Sequence, residues 1–259
     1  MEGFGVAMDD IEGKIIKNDE IASGYRLLKI RLSRSMDQMV PGQFIMLKVP
    51  DSEVFLRRPF SIYGYSRETL SLMYKVVGKG TESLSKATGN ARVSVLCPLG
   101  KGFTIQKRDA YVIVAGGIGI AGLHALIQKL GKRATIFFGC NNKAELPLMG
   151  NAADLNLYVS TLDGSYGFRG NVVQLLAKHM KTIEKKDVEV FTCGPESMLK
   201  SLKKLLEKKR IPCQASFEER MACGLGLCFG CVKKTVDEEE PYKRVCKEGP
   251  VFDLWQVCL

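Results

Sequence analysis

Six of the chain's nine cysteines fall in its last fifth, and four of them keep a spacing that leaves few folds open. Four residues separate Cys223 from Cys228, two separate Cys228 from Cys231, and Cys246 follows after fourteen more. Residues 213–259 are too few to bury a core of their own, so a bound metal is expected to supply the missing stability. Three thiolates on one loop and a fourth from beyond it suit a [2Fe–2S] cluster. The oxidised cluster with its thiolates is negatively charged, so backbone N–H groups must turn inward. Gly224, Gly226 and Gly230 let the loop wrap tightly enough to present them. Structural zinc is the competing reading, but it more often uses two C-x-x-C pairs, and only Cys228 and Cys231 form one here. Cys213 and Cys258 fall outside the spacing and read as spectators.

An odd cysteine count, with no basic stretch and apolar run in the opening MEGFGVAMDDIEGK, is expected of reduced thiols in the cytoplasm. A membrane span is not expected either. The longest apolar run, Tyr111 to Leu130, is broken by Gly116, Gly117, Gly119 and Gly122 into a strand–turn–helix pattern. The net charge of +10 raises nucleic acid as a partner. Much of that charge is Lys200, Lys203, Lys204, Lys208, Lys209 and Arg210, on a segment whose Met198, Leu199, Leu202, Leu205 and Leu206 recur at helical spacing. That is a solvated helix face without interleaved aromatics, and no nucleic-acid partner is expected.

Three segments follow from the patterning. Residues 1–104 carry short β-prone runs at Ile11–Ile16, Tyr25–Leu32, Gln43–Val49, Phe60–Tyr65 and Leu70–Val77, predicting a small antiparallel barrel. Residues 105–212 alternate strands (Tyr111–Ala115, Ala134–Phe138, Leu157–Ser160, Val188–Thr192) with helices (Leu123–Leu130, Val172–Met180, Glu196–Lys209), predicting an α/β domain with a parallel sheet. Residues 213–259 form the cysteine-bearing module.

Two places suit nucleotides. Arg58-Pro59-Phe60-Ser61 begins a strand, and Gly78-Lys79-Gly80-Thr81 opens a short helix. A guanidinium can clamp a pyrophosphate, a hydroxyl can reach a flavin nitrogen, and a helix N-terminus suits phosphate. Taken alone, the first also reads as a strand edge and the second as a turn. Gly116-Gly117-Ile118-Gly119-Ile120-Ala121-Gly122 holds G-x-G-x-x-G between a strand and a helix, the context of a dinucleotide turn, although such glycines can also serve only packing. The usual acidic ribose ligand is missing, since the next strand runs into Gly139-Cys140-Asn141-Asn142. With no clear Arg clamp there either, NAD and NADP both stay open. Cys193-Gly194-Pro195 ends a later strand, where α/β sheets place ligands, or makes a plain turn. His124 and His179 lie on helical stretches without evident partners and read as structural. No Ser-His-Asp set or paired acid–base carboxylates emerge, so no catalytic residue is assigned.

The order of these elements resembles the ferredoxin–NADP reductase superfamily, with a flavin barrel, then a pyridine-nucleotide domain, and here a cluster module. In that superfamily the Arg of R-x-[YF]-S lies on the flavin pyrophosphate and the Ser near flavin N5, which implies those roles for Arg58 and Ser61. The turn holding Gly117 and Gly119, and Cys193, Gly194 and Pro195, match its nicotinamide-side motifs. More narrowly, four runs resemble the electron-transfer subunits of NAD-linked (type 1B) dihydroorotate dehydrogenases. They are Arg57-Arg58-Pro59-Phe60-Ser61, Asp163-Gly164-Ser165-Tyr166-Gly167, residues 213–224 (CQASFEERMACG) and residues 242–252 (YKRVCKEGPVF). The resemblance implies FAD contacts at Arg58, Pro59, Phe60, Ser61, Lys75, Val76, Val77, Gly80 and Thr81, and cluster ligation by Cys223, Cys228, Cys231 and Cys246. Small subunits of NADH-dependent ferredoxin:NADP oxidoreductases often carry Asp at the first ligand position, so Cys223 favours the dihydroorotate family.

Hydride transfer to nicotinamide moves two electrons together and a [2Fe–2S] centre passes one, so a flavin must stand between them. The resemblance therefore implies a route from dihydroorotate through FMN in a catalytic partner subunit, then the cluster, FAD and NAD here. It also implies two subunits of each kind in a heterotetramer. Competing readings are the equivalent subunit of a sulfide dehydrogenase, ferredoxin reductase or hydrogenase, and a zinc-stabilised scaffold without redox cofactors.

Overall fold

The computed structural model describes residues 8–36, 39–50, 53–152 and 154–259. Seven strands form the first sheet: β1 (Asp9–Ala22), β2 (Tyr25–Leu32), β3 (Phe44–Lys48), β4 (Arg58–Ser61), β5 (Gly64–Tyr65), β6 (Thr69–Lys75) and β7 (Arg92–Leu99). They run antiparallel in the order β4-β3-β7-β1-β2-β6-β5. The sheet curls until its two ends meet, and Phe60 of β4 packs edge-on to Tyr74 of β6, with ring centroids 5.7 Å apart. Alternation buries Leu28, Ile30, Leu70, Leu72, Val93 and Val95 inside. Helix α1 (Lys79–Lys86) follows β6 and plugs this core with Leu84. Strand β7 lies centrally, although its RVSVLCPL shows few of the bulky residues that mark β6.

The second sheet is built from β8 (Ala110–Gly116), helix α2 (Ile120–Leu130), β9 (Ala134–Cys140), β10 (Asn156–Thr161), β11 (Phe168–Arg169), helix α3 (Val172–Ile183), β12 (Val188–Cys193), helix α4 (Glu196–Glu207) and β13 (Cys213–Ser216). Strands β8 and β12 are buried along nearly their whole length, as parallel strands covered on both faces must be. Tyr111, Ile113 and Ala115 face α2, whereas Val112 and Val114 face α3 and α4.

The chain then makes a small ladder of β14 (Val232–Lys234) and β15 (Tyr242–Arg244) and returns as β16 (Val251–Asp253). The strand order β11-β10-β9-β8-β12-β13-β16 carries the sheet past residue 212, because β13 joins in parallel and β16 antiparallel beyond it. The cysteine loop is therefore strung between two strands of the α/β sheet. His124, expected to lack partners, stacks on Tyr63 at 3.7 Å between ring centroids and bonds its carbonyl through Nδ1 at 3.0 Å. That contact ties the barrel to α2. Among the described residues, no helix is long and apolar enough to cross a membrane.

Candidate functional site

Three sites adjoin one another. The first is a cleft of about 400 Å³ between barrel and sheet. Arg58, Pro59, Phe60 and Ser61 of β4, Lys75 at the end of β6, and Val77 and Thr81 at the start of α1 all line it. The Thr81 hydroxyl accepts the N–H groups of Val77 and Gly78 at 2.9 and 3.1 Å, fixing this turn. Gly80 sits behind Arg58, and a Cβ there would come within 2.9 Å of the Arg58 Nε, so glycine lets the guanidinium lie flat. Val76 is set apart from the lining residues and packs against the barrel core. The sequence patterning does not mark the opposite wall. Ile118 and Ala121 come from the glycine turn and α2, and Ser216, Phe217, Glu218, Glu219, Met221 and Pro250 from the segments flanking the cysteine loop. Glu218 opens into the cleft, yet desolvation by its surroundings pushes its carboxyl above the ordinary range. An apolar slot closed by an arginine and a buttressed hydroxyl fits a flavin with its pyrophosphate.

The second site lies at the carboxyl ends of the parallel strands, in a cleft of about 400 Å³ lined by Gly116, Gly117, Gly139, Asn141, Leu162, Asn171, Pro195 and Met198, among others. Gly117, with φ +52, lets the chain leave β8 and enter α2. At Gly119 a Cβ would lie 2.5 Å from the Cys193 carbonyl, so the turn can pack on the end of β12 only as glycine. Cys193 is fully buried, and burial pushes its thiol far up. Gly122 lies between Ser61 and Cys193: a Cβ there would be 3.4 Å from Ser61 Oγ and 3.6 Å from Cys193 Sγ. Ser61 of the barrel and Cys193 of the sheet thus face one point from opposite domains. Of the expected nicotinamide-side residues, Gly117 and Pro195 line the cleft, while Gly119, Cys193 and Gly194 shape its floor.

The third site is the cysteine loop. Cys223 and Cys228 bring their Sγ atoms to 3.4 Å, and Cys231 and Cys246 are buried beneath. Backbone N–H groups point at all four sulfurs: Leu225 at Cys223 (3.3 Å), Gly226 at Cys246 (3.1 Å), Gly230 at Cys228 (3.5 Å) and Cys246 at Cys231 (3.4 Å). Burial alone would raise the Cys223 thiol, but N–H donors led by Leu225 bring it down to about 6. Cys246, more enclosed and beside Cys231, is pushed up to about 12. Gly224 and Gly226 have φ near +70 and +77, and side chains there would strike Met46 and Lys247. Arg244 donates to the Gly226 carbonyl at 2.9 Å and to Glu248, and covers the Phe229 ring at 4.8 Å, clamping both arms of the loop. Among the described residues, no three ligating side chains converge on one ion position. Four cysteines around a perimeter, with inward N–H donors, fit a cluster better than a single zinc.

Comparison with known proteins agrees with this layout. Residues 218–258 match the iron–sulfur cluster binding domain of dihydroorotate dehydrogenase B. The chain is 40% identical to the electron transfer subunit of dihydroorotate dehydrogenase B (NAD(+)) from Desulforamulus reducens, over 84% of this chain and 86% of that one. It is 37% identical to the Clostridium acetobutylicum counterpart, over 92% and 93%. Among solved structures, an NADH-dependent reduced ferredoxin–NADP oxidoreductase studied for flavin-based electron bifurcation superposes with a TM-score of 0.83 at 26% identity, covering 100% of this chain and 91% of that one. A ferredoxin NADP+ reductase from Neisseria gonorrhoeae shares the fold, with a TM-score of 0.62 at 16% identity, covering 78% and 91%.

Proposed function

The chain belongs to the family of electron transfer subunits of dihydroorotate dehydrogenase B (NAD(+)), and from that premise we propose that its cysteine loop, flavin cleft and dinucleotide cleft serve one electron path. The path runs from an FMN-bearing catalytic subunit to NAD+ in the oxidation of dihydroorotate for pyrimidine synthesis. Bound here, FAD would exchange the single electrons carried by a [2Fe–2S] cluster for the hydride that NAD+ accepts.

The chain's own residues give that path its geometry. Arg58 neutralises and orients the flavin pyrophosphate, with Gly80 making room for its side chain. Ser61 stands at the flavin edge where Cys193 approaches from the other domain. Lys75, Val77 and Thr81 hold the barrel side of the flavin, with Val76 seated in the barrel core behind them. Gly117, Gly119, Gly194 and Pro195 shape the landing place of the nicotinamide nucleotide. Cys223, Cys228, Cys231 and Cys246 hold the cluster, and their N–H donors offset its charge. The observation that carries the reading is the shared wall. The flavin cleft is lined at once by residues flanking the cysteine loop (Met221, Pro250) and by residues of the dinucleotide turn (Ile118, Ala121).

We assign functional boundaries at 1–104 for the flavin barrel, 105–212 for the dinucleotide domain and 213–259 for the cluster module. The exposed cluster loop faces the partner, in an assembly with two copies of each subunit in the cytoplasm. This chain does not itself bind dihydroorotate. The test is an anaerobic pull-down of the tagged chain from its host, assayed for dihydroorotate-driven NAD+ reduction. Activity with an FMN-bearing partner is the expected result. A flavin and iron–sulfur protein that oxidises NADH but ignores dihydroorotate would move the function to another partner.

A further inference from the structure

Asn141 follows β9 directly and lines the dinucleotide cleft. It stands where such sheets ordinarily carry an acidic side chain for a ribose hydroxyl, about 20 residues beyond the glycine turn. The acid is present after all, one step back. Glu145, on the turn that follows, accepts the Asn141 backbone N–H at 2.9 Å, and its two oxygens accept Asn141 Nδ2 at 2.9 and 3.1 Å. Its side chain is buried, and the Tyr25 hydroxyl of β2 donates to it at 2.9 Å, so the barrel braces the carboxylate from behind.

A carboxylate can only accept, so this contact decides which end of the Asn141 amide faces Glu145. Nδ2 is committed to Glu145. Oδ1 is left as an acceptor to which no described group donates, on a residue that lines the cleft. Such an atom takes a hydrogen bond from a hydroxyl. It cannot take one from a phosphate oxygen, which near neutral pH is itself an acceptor, and the charge of Glu145 behind it adds repulsion.

Resting on the reading of this cleft as the nicotinamide-nucleotide site, we propose that Glu145 is a positioning residue that holds Asn141 Oδ1 toward the adenosine ribose hydroxyls. The Asn141–Glu145 pair thereby favours a dinucleotide without a 2′-phosphate. It does the work of the missing acidic ligand while keeping the charge out of the cleft.

The test uses the FAD-loaded full chain, titrated calorimetrically with NAD+ and separately with NADP+, with thermal melting followed in parallel. The wild type is expected to bind NAD+ more tightly. Asn141→Ala keeps the backbone N–H for Glu145 but removes the Nδ2 donor to its carboxylate, so it should melt somewhat below the wild type, bind NAD+ about tenfold more weakly and bind NADP+ within about twofold. Glu145→Gln, whose amide no longer dictates the Asn141 orientation, should also lose several-fold affinity for NAD+ selectively. A wild type that prefers NADP+ would overturn the proposal. So would variants that change the melting temperature while leaving the ratio of the two affinities as it was. A wild type that binds neither dinucleotide would instead remove the reading of the cleft on which the proposal rests.

Discussion

The cysteine loop and the parallel sheet that carries it are held by opposite means. Strands β8 and β12 are sealed between helices, and Ile113, Val114, Val190 and Phe191 have almost no surface left. At the cysteine loop the burial is partial: Val245 and Leu225 pack its base against the sheet core, while Leu227 and Phe229 at its tip are 76% and 59% exposed. Beyond that base, what fixes the loop is polar: N–H bonds to sulfur, the Arg244 clamp, and Lys233 bridging Glu196 of α4 and Glu219. A sheet built on burial keeps its shape without ligand, whereas a loop built on a few polar contacts depends on what its sulfurs hold. On the proposed function the contrast also separates roles, the exposed loop meeting the partner and the sheet positioning nucleotides.

The largest expected effect breaks one region and spares the other. Cys231→Ser should remove the cluster and lower dihydroorotate-driven NAD+ reduction, with the partner present, by at least about 100-fold. NADH-driven reduction of a two-electron dye acceptor, which needs only the flavin and dinucleotide clefts, should stay within about twofold. Loss of both activities together would show that the sheet leans on the loop after all.

Next comes the sheet's own weak point. Gly119→Ala drives a Cβ against the backbone carbonyl of Cys193, and neither β12 nor α2 can withdraw. We expect about 3 kcal/mol of destabilisation in urea unfolding and loss of NADH binding. Gly117→Ala is the matched control. Nothing lies within 4 Å of its new methyl, and only the positive φ resists it, so about 1 kcal/mol is expected. Equal costs for the two would mean that close packing at the turn is not what glycine supplies.

In the loop, Arg244→Gln removes the guanidinium donors to Glu248 and to the Gly226 carbonyl and the cover over Phe229, leaving only the backbone N–H on Glu248. The variant should fold and take up a cluster, then lose its visible absorbance in air several-fold faster than the wild type. An unchanged decay would make the clamp incidental to the cluster.

What the amino-acid sequence disclosed follows the same division. The cysteine spacing was legible because a cluster needs its ligands at set intervals along one loop. The sheet strands were legible because two covered faces demand unbroken apolar runs such as Tyr111–Ala115. Strand β7 was not, since Arg92, Ser94 and Pro98 dilute its pattern although it pairs on both sides. The far wall of the flavin cleft was hidden for another reason. Ile118, Met221 and Pro250 are distant in sequence, and only the return of β16 beside β13 brings them together. Glu145 carried a faint signal, a lone acid shortly after Asn141-Asn142. Nothing local, however, announced that Tyr25 would reach across from the barrel to meet it.

The smallest effect lies at the seam between loop and sheet. Glu196 opens α4 and receives hydrogen bonds from Lys233 of the cluster module and from Lys200 one turn on, which hold its carboxyl down to about 2. A carboxyl lowered in the fold stabilises it at every pH above the unfolded value near 4.5, and that contribution fades as pH falls from there toward 2. Its side chain is half exposed, so water screens the pair and less than about 1 kcal/mol is at stake. Glu196→Gln should therefore lower the melting temperature of the full chain by a degree or two at pH 7, roughly what such an energy implies. The gap between variant and wild type should narrow steadily below pH 4.5, because the wild type then loses the same charge. A gap that stayed constant with pH would show that the side chain stabilises the seam through its shape alone, leaving Glu219 to hold Lys233.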